Sequence, residues 1–158
     1  MATRGPHGEA VAEAGLPVAL HAGKENIALV GMLAAAYPGI VYLLDHLGRP
    51  DLREGIGGSG FAAVLALAKH ENVWLKTPNA PFFSQQGSPY DDLAPFLVAA
   101  LDAFGAKRVV WGSDWPLCTE AASYQDAREP TLSVLRQYGE NDKRLVLRGN
   151  FERLYHRV

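Results

Sequence analysis

Three apolar runs in this sequence end in a residue able to bind a metal ion or move a proton. His21 closes Pro17-Val-Ala-Leu-His21, His46 closes Leu44-Asp45-His46, and Asp114 follows Val110-Trp111-Gly112-Ser113. Neutral imidazole and carboxylate are ligands for zinc or manganese, and water held by such an ion ionises near neutral pH to give a nucleophile. Asp114 could serve such an ion and also accept a proton from the attacking water. A lone histidine at a run end is more often a structural hydrogen-bonding group, but agreement among three run ends reverses that reading. Asp114 taken alone also reads as a turn residue two before Pro116.

Further residues extend the set. Arg49 stands three after His46, and its guanidinium fork fits a carboxylate in bidentate fashion; the plain alternative is a solvated loop arginine. Lys76 ends the third apolar run, from which it could face the same mouth or stretch its stem along apolar surface to water. Cys118 is the single cysteine, so no intrachain disulfide forms, and with no basic neighbour in sequence it reads as an unreactive loop thiol. Gly55-Ile-Gly57-Gly-Ser-Gly60 fits the spacing of a dinucleotide loop and precedes a helix, but the charged Asp51-Leu-Arg-Glu54 stands where a strand is required. That leaves a flexible loop over the mouth. His7, His70 and His156 match no pattern and read as surface residues.

The elements that must position these groups alternate in type. A short run over 15–21 precedes Ile27, Val30, Gly31, Ala34 and Tyr37 at helical spacing, stopped by Pro38-Gly39, and a second run covers 40–46. A helix from about Phe61 to His70 leads to a strand over 72–76, and a Pro-rich loop follows from Thr77 to Pro89. Asp91-Asp92 then cap a helix carrying Leu93, Phe96, Leu97, Ala100, Leu101 and Phe104 on one stripe, before a fourth strand over 108–113. Helices over 130–138 and 142–155, the latter interrupted at Gly149-Asn150, close the chain, and His7 to Ala14 reads as a helix ahead of the first strand. Strands apolar on both faces and alternating with helices argue a parallel α/β sheet, in which C-terminal strand ends share one mouth.

Of the 158 residues 48% are hydrophobic, which is a globular composition, and 17 acidic against 15 basic residues give a net charge of −2. No basic run tracks a phosphate backbone, so nucleic acid is not an expected partner. Short interrupted apolar runs and an N-terminus without a signal-like stretch point away from the membrane and toward a cytoplasmic protein.

The phrases Leu44-Asp-His-Leu-Gly-Arg-Pro50 and Val110-Trp-Gly-Ser-Asp-Trp-Pro116 resemble strands six and eight of the amidohydrolase-related family. Pro17-Val-Ala-Leu-His21 resembles strand five, and Arg148-Gly-Asn-Phe-Glu-Arg-Leu-Tyr155 its terminal helix. The likeness is strongest to the sugar-lactone and pyrone-dicarboxylate lactonase branch, from about Ala10 to the C-terminus. It implies the C-terminal half of a (β/α)8 TIM barrel, strands 5–8, in a single partial domain over 1–158 whose strands 1–4 are missing. It further implies metal ligation by His21 and Asp114, a polarising or acid/base role for His46, water activation by Asp114 and substrate contact by Arg49. Zinc or manganese would be the cofactor, although the lactonase branch also works without metal, so the requirement stays open. The family's strand-one His-x-His pair has no counterpart here, and Thr77-Pro-Asn-Ala-Pro departs from the Ser-Gly-type continuation after strand seven.

The expected activity is hydrolysis of a lactone or related cyclic carboxylate ester, with a small carboxylate-bearing lactone as partner. Alternatives are a metal-dependent decarboxylase of the same family, and an inactive or split half-barrel needing a second chain or a homodimer. A ligand-binding module built as a doubly wound sheet needs no missing residues but leaves the three polar run ends unexplained.

Overall fold

Each apolar run bounded by Gly, Pro or Asn forms a short strand, because β-branched and aromatic side chains fit a pleated surface; the second, third and fourth runs are buried on both faces, while the first exposes Ala19. The computed structural model describes residues 6–155. In chain order its elements are α1 (Pro6–Ala14), β1 (Val18–Leu20), α2 (Ile27–Ala36), β2 (Tyr42–Leu44), α3 (Ser59–Ala66), β3 (Val73–Lys76), α4 (Ala80–Phe83), α5 (Ala94–Phe104), β4 (Val109–Val110), α6 (Tyr124–Leu135), α7 (Glu140–Arg144) and α8 (Asn150–Tyr155). The sheet order is β1-β2-β3-β4 and every pairing is parallel. The register aligns Leu20 with Leu44 and Leu44 with Leu75, so β1 and β2 end level and β3 runs one residue further, to Lys76. No helix among the described residues is long and apolar enough to cross a membrane.

Alternation along the strands divides the core. Tyr42, Leu44, Val73, Leu75 and Val109 join Ile27, Val30, Phe61, Val64, Leu97 and Leu101 in the larger cluster beneath the helices. Leu43, Trp74 and Val110 form a second cluster with Leu154 of α8. Burying each large side chain contributes about 1.5–3 kcal/mol. Buried and half-buried polar groups fasten the layers together: half-buried Asn72 donates to the carbonyls of Ala34, Tyr37 and Ile40, and buried Asn150 donates to those of Ala106 and Val109. The Arg108 guanidinium likewise donates to Ala68, His70, Val73 and Phe104.

The alternating order of strands and helices agrees with the sequence reading, while several local expectations need correction. The Pro-rich segment contains α4, with a proline in its first turn where a missing N–H costs nothing. Asp92 does not cap α5; its carboxylate accepts from Ser84 Oγ and the Gln85 amide, and α5 begins after a turn over Asp91–Leu93. Helix α6 starts six residues before Pro130, at a capping box in which Ser123 and Asp126 exchange bonds, and carries the proline inside it. The glycine loop packs against the segment after β1 and does not line the cavity described below: Gly60 lies against the stem of Lys24, Gly58 against Glu54, and Lys24 pairs with Glu54 at 2.7 Å. His70 is half-buried, with Nε2 against Gly31. The side chain of His7, and all of His156, lie outside the described residues.

Candidate active site

The C-terminal ends of the strands carry the polar groups, since a residue just past a buried parallel strand must face the rim that the helices leave open. His21 follows β1 directly. After β2 the chain makes a left-handed turn, with φ of 55° at His46, 52° at Leu47, 68° at Gly48 and 55° at Arg49. The left-handed conformation costs about 1–2 kcal/mol per L-residue, so the surrounding packing must hold this turn in place. Gly48 is required within it, because an added Cβ would lie 2.6 Å from Val64 Cγ2 and 3.0 Å from Ile27 Cδ1. The turn buries His46 and sends Arg49 back to the rim, where Nη1 lies 2.8 Å from His21 Nε2. Asp114, beyond β4, is also left-handed, with φ of 60°.

These groups meet in one cavity of about 250 Å³, whose polar lining is His21, His46, Arg49, Asn79 and Asp114. Phe82, Phe83 and Leu117 supply its apolar wall. The His46 ring stacks on Phe83 and meets His21 edge to face, each at 5.5 Å between centroids. His46 Nε2 lies 3.8 Å from Asp114 Oδ2, and Asn79 Nδ2 donates to the same carboxylate oxygen at 3.0 Å. Burial holds the His46 imidazole below its ordinary pKa, against the opposing pull of the Asp114 carboxylate. It is therefore neutral at physiological pH, with one nitrogen donating and the other accepting. His46 Nδ1 and Asn79 Oδ1 are buried without a protein partner.

One cluster could hold a cation. His21, Asp45 and His46 each offer a ligand atom, all within 4.8 Å of one another. This set has Asp45 in the place where the sequence reading put Asp114. Lys76 lies apart from the cavity lining: its ammonium pairs with Asp45 Oδ1 at 2.8 Å and its stem packs over Gly112. Asn79 is the residue that sequence reasoning missed. Its signal was an amide three residues past the end of a strand, concealed by the prolines on either side of it. A larger depression, about 510 Å³, lies between Glu71, Arg108, Asp142 and Arg153. There Arg108 is already committed to backbone carbonyls, so the smaller cavity holds the available chemistry.

Residues 5–157 match the protein-family model described as amidohydrolase. The chain belongs to the amidohydrolase family. Within that family it is similar to a 4-sulfomuconolactone hydrolase of Rhizobium radiobacter, 38% identical over 88 residues that make up 56% of this chain and 28% of that relative. It is also similar to an L-fucono-1,5-lactonase of Burkholderia ambifaria, 34% identical over 96 residues, or 59% of this chain and 32% of the relative. The crystal structure of an amidohydrolase from Burkholderia multivorans with bound zinc superposes with a TM-score of 0.82 at 26% identity, covering 94% of this chain and 56% of that one. This amidohydrolase chain therefore spans little more than half of the solved structure it matches.

Proposed function

We propose that the cavity is the hydrolytic mouth of a lactonase-type amidohydrolase acting on a carboxylate-bearing lactone. The observation that carries this reading is the meeting of His21, His46, Arg49 and Asp114, from three different strand ends, in one cavity. Lactonase and lactone-hydrolase relatives support the substrate class. Arg49 binds the substrate carboxylate, and neutral His46 donates an N–H to the lactone carbonyl oxygen, where negative charge develops. Asp114 accepts a proton from water as its oxygen bonds to the carbonyl carbon, and the carbonyl π electrons move onto oxygen. When they return, the ring C–O bond breaks and the leaving alkoxide takes the proton from Asp114, giving the open hydroxy acid. Lys76 holds Asp45 beside this centre.

The donor set suits a divalent metal: two imidazoles and a carboxylate converge, and His46 Nδ1 is buried without a partner. His21, with Asp45 and His46, would hold zinc or manganese, and Asp114 would complete the set from beside His46. Such an ion polarises the carbonyl and lowers the pKa of water.

We further infer that β1 to β4 are strands 5–8 of an eight-stranded barrel, in a domain that 1–158 represents only in part. Coverage of 56% of a solved relative supports that reading, as does the open order of the sheet, with β1 and β4 as its outer strands among the described residues. Acid release from 2-pyrone-4,6-dicarboxylate, a carboxylate-bearing lactone of the kind a 2-pyrone-4,6-dicarboxylate hydrolase relative is named for, followed by pH-stat, tests the function in the chain or in its complex with the complementary strands. Asp114→Asn should lower kcat by about 10²–10⁴. Turnover by Asp114→Asn at the parent rate would remove Asp114 from the mechanism, and CO₂ release without ring opening would favour the decarboxylase.

A further inference from the structure

The geometry points to Arg49 as a reversible occupant of the cation position: we propose that its guanidinium competes with a divalent cation for the Nε2 lone pair of His21. The inference rests on the reading of His21 as a cation ligand, and it concerns the hydrogen bond that Arg49 makes to that ligand.

Arginine carries five N–H donors and no acceptor. At 2.8 Å from Arg49 Nη1, His21 Nε2 is therefore the accepting nitrogen, and the ring proton sits on Nδ1. An unprotonated imidazole nitrogen has a single in-plane lone pair. That lone pair can receive an N–H or bind a metal ion, not both at once, and a guanidinium at hydrogen-bonding distance also repels an incoming cation. Asp45, the second donor of the same cluster, forms an ion pair with Lys76 at 2.8 Å. The chain thus presents its own cations to two of the three groups, while His46 Nδ1 remains unpartnered.

The arrangement is reversible because of how Arg49 is mounted. Its backbone is set by the left-handed turn, but its side chain is exposed, and the guanidinium carbon lies 6.0 Å from the centroid of Phe83. The face of an aromatic ring is a resting place for a guanidinium that has left its hydrogen bond. An anionic carboxylate that draws Arg49 from His21 would consequently promote metal uptake, and bound metal would promote carboxylate binding by the same factor.

The experiment is a zinc titration against a chromophoric chelator on the wild-type chain, Arg49→Met and His21→Ala, with the His21 tautomer of the metal-free wild type read from ¹⁵N–¹H NMR. Methionine keeps the unbranched stem of the side chain and removes every donor. A hydrogen bond to a charged group is strong enough that Arg49→Met should bind zinc about tenfold more tightly than wild type, and His21→Ala more weakly. Equal zinc affinity in wild type and Arg49→Met, with weaker binding by His21→Ala, would overturn the competition and leave His21 a ligand. Zinc binding indifferent to His21→Ala would overturn both readings. The tautomer stands independently of any effect of the variants on folding: Nδ1–H supports the proposal, and a proton on Nε2 sinks it.

Discussion

Asn79 donates to Asp114 Oδ2 at 3.0 Å from a buried position, so the carboxylate proposed to accept the water proton is held by one amide on one of its oxygens. Replacing such a partner typically costs 10- to 100-fold in activity without touching substrate. Asn79→Ala should therefore lower kcat for lactone hydrolysis by about tenfold and leave KM nearly unchanged; a change confined to KM would place Asn79 against substrate instead. Cys118, in the turn whose amide bonds Asp114 O, is fully buried, and burial pushes its thiol pKa up. A raised pKa means that the unfolded chain ionises first, so the contribution is intact below about 8.5 and lost as pH rises through the higher native value. Urea midpoints should fall from pH 8.5 to 10 less steeply in Cys118→Ala than in the parent, and iodoacetamide should label the native thiol only on unfolding. His21, His46, Arg49 and Asp114 were legible because each follows a recognisable apolar run. Asn79 and Phe83 were not, because a Pro-rich segment gives no periodicity from which to place a short helix.

The left-handed turn after β2 is where backbone and chemistry are most tightly joined. Four successive residues with positive φ aim His46 into the cavity and Arg49 at His21, and Gly48 alone among them has no room for a Cβ. Gly48→Ala would combine an unfavourable φ with a 2.6 Å approach to Val64 Cγ2, and should destabilise the chain by about 2–3 kcal/mol. Gly39→Ala, with open space around its Cβ position, should stay within about 0.5 kcal/mol. Paired urea denaturation curves compare the two, and equal losses would mean that the turn is not held by packing. The phrase Leu44-Asp-His-Leu-Gly-Arg-Pro50 marked this place in the sequence, but its handedness could not be read there, because Leu and Arg ordinarily avoid positive φ. Helix α6 shows the opposite case: Ser123-x-x-Asp126 is a legible start signal that the proline seven residues after Ser123 obscured.

At the scale of the molecule, the alternation of strands and helices was legible from hydrophobic patterning, and parallel pairing followed from strands apolar on both faces. What covers the sheet edges was not, since patterning reports burial without naming the partner. The β1 edge is bordered by an apolar groove of about 300 Å³ formed by Val11, Val18, Leu33, Tyr37, Ile40 and Tyr42, and α2 also exposes Leu29 and Met32. Unpaired strand amides beside an apolar groove are a template for another strand and helix. In an eight-stranded barrel that place belongs to the preceding β/α unit. Purified 1–158 should accordingly self-associate through this edge, and Leu33→Lys, which puts an ammonium on the groove wall, should shift the mass from light scattering toward the monomer. Adding a chain that carries the complementary strands should compete with self-association in the parent and do so less well in Leu33→Lys. If both proteins were monomeric at all concentrations and indifferent to the added strands, the edge would be closed by the chain itself and the half-barrel reading would fail.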